Sequence, residues 1–297
     1  MKIPILFLGT GQAVPTAERN HIAMLLQYKN ENILIDCGEG TQRQFRKMHL
    51  NPCRITRILI THWHGDHVLG LPGLLQTLAL NNYSRVLQIY GPRGTKRFIE
   101  QLYRIFVPRG KIKISVYEIE NKKFIETNDF EIIAISLKHN THCNGYIFQE
   151  KDKIRIKKRE FERFKIRDKE IINRLLSGKD VKVKNKILKA KSLTYFQKGR
   201  KISFILDTSL FNSSKMKNSD LAIIESTYTS KESELAKRYM HLTAQQAAKI
   251  AKKEKIKELI LIHLSQRYEN REHIILSEAK KIFANVKIAH DLTKVEI

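Results

Sequence analysis

Residues 54–75 read RITRILITHWHGDHVLGLPGLL. The apolar run 55–60 predicts a buried strand that leads straight into His62, His64, Asp66 and His67. Gly65 and Gly70 then free the chain to turn into an apolar helix over 70–80. Imidazole and ionised carboxylate cost free energy when buried without partners, so four of them within six residues at a strand end point to a metal ion. Histidine and aspartate together suit zinc or a similar divalent ion. His62 and His64, two apart on an extended turn, point to one side, and Asp66 and His67 face a second position.

Four residues cannot fill two metal positions, so other strand ends must contribute. His139 follows the apolar run 132–137, Asp207 follows 202–206 and His263 follows 259–262. On chemistry alone His142, three residues after His139, is an equal candidate. A carboxylate such as Asp207 can bridge two cations, and a pair about 3.5–4 Å apart polarises a phosphate and acidifies a shared water. That is a hydrolase's chemistry.

Further strands are predicted at 3–8, 22–27, 33–35, 86–90, 112–118, 146–148, 221–224 and 286–289, with helices at 41–48, 95–106, 243–253 and 272–282. Many strands interleaved with helices describe an α/β layered body. The chain has 297 residues, 42% of them hydrophobic, enough for one large domain or two modest ones with a sizeable core. It carries 55 Lys and Arg against 30 Asp and Glu, a net charge of +25 that favours a polyanionic partner, either nucleic acid or an anionic membrane surface. No run of about 18 apolar residues exists, which argues against a membrane span. The start, MKIPILFLGTGQAVP, reads as a strand and turn rather than a secretory signal. Cys37, Cys53 and Cys143 are widely spaced and odd in number, so a reducing cytoplasm is expected.

The charge is concentrated. Residues 151–201 hold 20 Lys and Arg against 6 Asp and Glu, a net of +14. Ile166, Ile171, Ile172, Leu175 and Leu176 predict an amphipathic helix ended by Gly178, and VKVKNKILKAKSL (181–193) alternates as an exposed strand or ribbon does. A segment this charged offers little apolar surface for a core of its own, so an extension projecting from the main body is expected. It suits either a solvated surface or binding to a phosphate backbone.

Eight segments in order resemble one family: FLGTGQAVPTAERN (7–20), LIDCGEGTQRQ (34–44), HVLGLPGLL (67–75), LKHNTHCNGY (137–146), ILDTSLF (205–211), DLAIIESTY (220–228), HLTAQQAA (241–248) and LILIHLSQRY (259–268). Together they resemble tRNase Z, of the metallo-β-lactamase superfamily. The resemblance implies a four-layer αββα metallo-β-lactamase sandwich, a single catalytic domain over 1–297 with an inserted basic tRNA-binding arm at 151–201. It further implies an endoribonuclease that removes 3′ trailers from precursor tRNA and leaves a 3′-hydroxyl. Two zinc ions per chain are expected, with manganese or another divalent ion as the alternative. His62, His64 and His139 would hold one, Asp66, His67 and His263 the other, and Asp207 would bridge them; the family places the ligand at His139 rather than His142. Asp66 would also be the general base, His241 the proton donor and Glu225 the residue that orients it. Ser265 and Arg267 would contact phosphate, and Lys157, Lys158, Arg159, Lys182 and Lys184 would grip tRNA. A cytoplasmic homodimer with no membrane partner is expected. The chain departs from relatives in having Ile224 where a His is common, Leu242 for a Ser, and no Gly just before Asp207. A general phosphodiesterase of the same fold and a non-catalytic RNA-binding protein are the rival readings.

Overall fold

Arg57–Leu59, the strand that leads into His62, sits in a seven-stranded sheet of order Lys294–Glu296, Pro4–Gly9, Ala23–Tyr28, Glu31–Ile35, Arg57–Leu59, Val86–Gly91, Lys113–Glu118. A second sheet, also seven-stranded, runs Val286–Ile288, Glu258–Ile262, Leu221–Glu225, Lys201–Ile205, His142–Glu150, Phe130–Lys138, Lys123–Glu126. The computed structural model describes residues 2–107, 111–164, 168–183 and 186–297. The chain divides into two compact units, one of Met1–Glu126, Ile132–Phe148 and Lys201–Ile297 and one of Thr127–Glu131 and Gln149–Arg200.

In the first unit the helices cover the sheets' outer faces. Leu71–Leu80 buries Leu71, Leu74, Leu75 and Leu78 in one cluster with Leu34, Ile58 and Ile89 of the first sheet. Ala244–Lys253 and Glu272–Lys280 bury Ala247, Ala251 and Ile275 against Ala222, Leu259 and Leu261 of the second. Each fully buried Leu or Ile contributes about 1.5–3 kcal/mol by leaving water. Between the sheets, Tyr28 meets Phe148 edge-on at 5.2 Å, Tyr90 meets Phe124 at 5.0 Å and the Tyr146 hydroxyl donates to Ile60 O at 2.5 Å. Helix, sheet, sheet and helix make the expected four layers.

Several expected boundaries move. The 55–60 strand shortens to Arg57–Leu59, with Ile55 as C-cap of the preceding 3-10 turn Pro52–Arg54, which Asn51 caps by accepting from Cys53 N. The 202–206 strand ends at Ile205, and the 146–148 strand extends to His142–Glu150. Lys123–Glu126, Lys294–Glu296 and the helix Ser233–Tyr239 were not foreseen. Lys294–Glu296 is too short and too polar to show a period, and it exists because it pairs antiparallel with Pro4–Gly9.

The second unit corrects an expectation. It has a core of its own, in which Leu175, Val181, Leu188, Ala190 and Leu193 are buried together with Ile156, Phe161, Ile171 and Val183 packed on them. Charged residues alternate with apolar ones, so the apolar set gathers on one side while the lysines face water. Lys153–Ile156 pairs with Thr194–Gln197 and Val181–Val183 with Lys186–Leu188, which bears out the ribbon. The helix is Lys169–Leu176, N-capped by Asp168, and Gly178 follows it with φ +81°. Ile166, assigned to that helix from sequence, and Lys184 lie outside the described residues. Lys158, Arg159 and Lys182 are exposed and Lys157 is half-buried.

Candidate metal centre

The candidate ligands all leave strand ends of the first unit, the rim at which layered α/β folds bind ligands. Beyond Arg57–Leu59, Thr61 fixes the turn: its N–H and hydroxyl donate to the two oxygens of Asp36, each at 2.7 Å. His62 is thereby turned inward and fully buried. The short helix Gly65–Val68 then brings Asp66 and His67 inside. His139 follows Phe130–Lys138, Asp207 lies two residues past Lys201–Ile205, and His263 follows Glu258–Ile262. The parallel pairs Ile205↔Ile224 and Glu225↔Ile262 set Asp207, Glu225 and His263 at neighbouring levels of one sheet.

Two groups result. His62, His64, His139 and Asp207 each offer a ligand atom within 4.8 Å of one another, and so do Asp66, His67 and His263. Asp207 lies between them. Its Oδ2 is 3.6 Å from His62 Nε2 and 3.8 Å from His139 Nε2, while its Oδ1 is 3.4 Å from His67 Nε2 and 3.1 Å from His263 Nε2. Asp66 Oδ2 is 3.4 Å from both His67 Nε2 and His263 Nε2.

The outer nitrogens of these rings are engaged. His67 Nδ1 meets Asp36 Oδ2 at 2.6 Å, His263 Nδ1 meets Thr227 Oγ1 at 3.0 Å, and His139 Nδ1 faces Met240 O at 3.3 Å. Fixing one nitrogen in this way aims the other and sets its tautomer. The inner atoms His62 Nε2, His67 Nε2 and Asp207 Oδ1 are buried and have no hydrogen-bond partner. Buried polar atoms without partners are costly, and two nitrogens and a carboxylate oxygen converging on one space are what a divalent cation satisfies. The residues present therefore fit divalent metal binding.

The electrostatics agree. Burial pushes the imidazoles of His62, His64 and His139 down, so they are held neutral as ligands must be. For Asp66, burial alone would raise the carboxyl, but His67 and His263 outweigh it and hold it well below the carboxylate range. Asp207 is likewise held down by His263 and His67 against its burial. Burial opposes a charge on His67, yet Asp66, Asp207 and Asp36 together raise its pKa. Positive charge is favoured at this point, and a cation would supply it.

His241 stands beside the second group. Helix Ser233–Tyr239 ends at Met240 in the left-handed region (φ +56°), His241 N then bonds Ala236 O at 2.8 Å, and Thr243 caps the next helix with a capping box to Gln246. Glu225 Oε1 meets His241 Nδ1 at 3.0 Å and also accepts from Thr208 N, while Oε2 accepts from the Thr227 hydroxyl at 2.7 Å. Burial would lower the His241 pKa, but Glu225 and Asp207 carry it up to about 9. Ser265 and Arg267 line the same open cavity of about 710 Å³ as His64, Asp66, His139, Asp207, His241 and His263. Arg267 rests 5.7 Å above the Tyr228 ring. His142 is exposed and stays outside both groups. Lys157, Lys158, Arg159 and Lys182 belong to the second unit.

Asp36, Thr61 and Thr227 were not singled out from sequence. Asp36 had the signal used for Asp207, an aspartate directly after an apolar run, here Ile33–Leu34–Ile35.

A family profile described as "Anti-Pycsar protein Apyc1" matches residues 3–144. Ribonuclease Z of Nanoarchaeum equitans (strain Kin4-M) is 36% identical over 298 residues, 98% of this chain and 92% of that protein. The crystal structure of human tRNase Z, short form, matches with TM-score 0.71 and 28% identity over 98% of each chain. The metallo-β-lactamase fold protein YhfI from Bacillus subtilis matches with TM-score 0.69 at 19% identity, over 100% of this chain and 99% of that one, and shares the fold. Fold and site together define a metal-dependent hydrolase of the metallo-β-lactamase fold. Within that class, the chain belongs to the ribonuclease Z family.

Proposed function

We propose that this chain is a two-zinc endoribonuclease that removes 3′ trailers from precursor tRNA. The observation that carries the reading is Asp207, whose two oxygens face two separate histidine groups. When bound, a pair of zinc ions, or of manganese ions as the alternative, polarises the scissile phosphate and activates water. His62, His64 and His139 would hold one ion and Asp66, His67 and His263 the other, with Asp207 available to both. Asp66 takes the proton of the attacking water. As the bond from phosphorus to O3′ breaks, His241 donates a proton to that oxygen from Nε2, because Glu225 occupies Nδ1. The tRNA body leaves with a 3′-hydroxyl and the trailer with a 5′-phosphate. Ser265 and Arg267 lie in the cavity where they would hold phosphate oxygens.

The second unit, with its small core and exposed lysines, is read as the tRNA-binding arm of one catalytic domain. Its net +14 over 151–201 suits displacement of counterions from folded RNA, and Lys157, Lys158, Arg159, Lys182 and Lys184 are its contacts. The same resemblance supports a homodimer, which sedimentation of the purified protein tests. Cys37, Cys53 and Cys143 are free, in keeping with a reducing cytoplasm. Among the described residues no helix is long and apolar enough to cross a membrane.

The test is cleavage of a 3′-extended precursor tRNA beside hydrolysis of bis-p-nitrophenyl phosphate. A single cut near the end of the acceptor stem, with a 3′-hydroxyl on the tRNA body, is expected. Hydrolysis of the small diester with the tRNA left intact turns the reading to a general phosphodiesterase.

A further inference from the structure

The loop Thr10–His21 touches both strands of chain that bring Asp66 and His263 to the centre. His263 N donates to Thr10 O at 3.0 Å, and Ala13 N donates to Asp66 Oδ2 at 3.0 Å. That oxygen is the one facing His67 and His263. The loop's root is firmly tied. Asp291 accepts from the Thr10 hydroxyl at 2.6 Å and from Asn20 N at 2.7 Å, and Arg19 reaches Thr10 Oγ1 at 2.6 Å and Glu272 at 2.8 Å. Ala13 is held by a side chain instead: His21 Nε2 lies 3.0 Å from Ala13 O.

His21 is buried, 5% exposed, and its Nδ1 has no hydrogen-bond partner. A carbonyl only accepts, so Nε2 carries the ring's proton and donates it to Ala13 O. An apolar side chain would fill this space without burying a bare nitrogen, so packing alone does not account for the imidazole. There is no slack around it: a Cβ at Gly38 would come 2.4 Å from His21 Cβ and 2.5 Å from Asp66 O. One face of the Ala13 residue is thus gripped by His21 and the other grips Asp66.

We propose that His21 is a positioning residue for the Asp66–His67–His263 side of the centre, acting through Ala13. Its bond to the Ala13 carbonyl anchors the peptide on one side of the Ala13 Cα, which restrains the neighbouring peptide whose N–H donates to Asp66 Oδ2, the oxygen that would face the second ion. The inference rests on the two-ion reading above. Groups that orient a ligand in this way typically change metal affinity 10–100-fold when removed.

Zinc affinities of the whole protein, measured by competition with a chromophoric chelator, test it. Wild type takes two ions. His21→Leu weakens one of them about tenfold or more and leaves the other within about threefold, while His21→Gln, whose amide keeps a donor near the place of Nε2, restores it. Two unchanged ions in His21→Leu, or two weakened alike, overturn the proposal. Where His21→Leu does not fold, Ala13→Pro deletes the N–H that meets Asp66 and must give the same one-sided loss. A wild type that takes fewer than two ions overturns the two-ion reading itself, and the proposal with it.

Discussion

Glu225 Oε1 lies 3.0 Å from His241 Nδ1, and Glu225 is wholly buried. A buried carboxylate against an imidazole stabilises the imidazolium and leaves Nε2 as its only free donor.

This pair predicts the alkaline side of the pH–rate profile. His241 is raised from 6.5 to about 9, so its acidic form is present through neutral pH and is lost as the pH rises through that value. Glu225→Gln removes the charge that raises it and shifts the alkaline limb to lower pH by about one unit or more. His241→Ala lowers kcat by about 10²–10⁴-fold and abolishes that limb. Cleavage rates of precursor tRNA from pH 6 to 10 check both, and a Glu225→Gln profile superimposable on wild type contradicts the assignment.

On the proposed mechanism Asp66 is ligand and base at once, so Asp66→Ala should nearly abolish cleavage. Single-turnover rates on a 3′-extended precursor tRNA measure this. Activity kept within about tenfold of wild type removes Asp66 from both roles.

Exposed arm charges should act on binding and not on chemistry. Replacing Lys158, Arg159 and Lys182 by Ala weakens tRNA binding and makes log K less steep in log salt by about 0.7–0.9 for each phosphate that is no longer neutralised. Hydrolysis of bis-p-nitrophenyl phosphate stays unchanged. An unaltered salt slope returns these residues to the solvated surface.

The arm's small core makes a separate prediction. Leu175 is fully buried among Val181, Leu188 and Leu193, and Leu175→Ala should cost about 2–5 kcal/mol of the stability of that unit. Hydrogen exchange followed by mass spectrometry should show faster exchange confined to residues 149–200, with zinc content unaltered. Loss of protection throughout the chain contradicts a core that belongs to the arm.

The candidate ligands were legible from sequence because the cluster His62 to His67 and the separate His139, Asp207 and His263 come at or just after apolar runs, a short-range signal. His62, His139, Asp207 and His263 all have it. Asp36 has it too, but its task of holding His67 Nδ1 depends on a contact 31 residues away in sequence, which no local pattern reports. Thr227, whose hydroxyl joins Glu225 to His263, sits in a similar long-range link. His241 carried no local mark beyond its place before a helix cap, and family resemblance alone selected it. The core of the second unit was missed for a different reason: its composition is dominated by charge, while the core depends on which residues alternate inward. Leu175, Val181 and Leu188 are separated along the chain and meet only when the two hairpin strands and the helix are in place.

On the proposed mechanism two divalent ions, with Asp207 facing both positions, would be needed for the cut. Metal content of the purified protein by mass spectrometry, read beside cleavage of a 3′-extended precursor tRNA before chelation, after chelation and after reloading with zinc, tests this most directly. Two zinc ions per chain are predicted, with a single cut that chelation abolishes and zinc restores. Cleavage that survives complete removal of metal contradicts it.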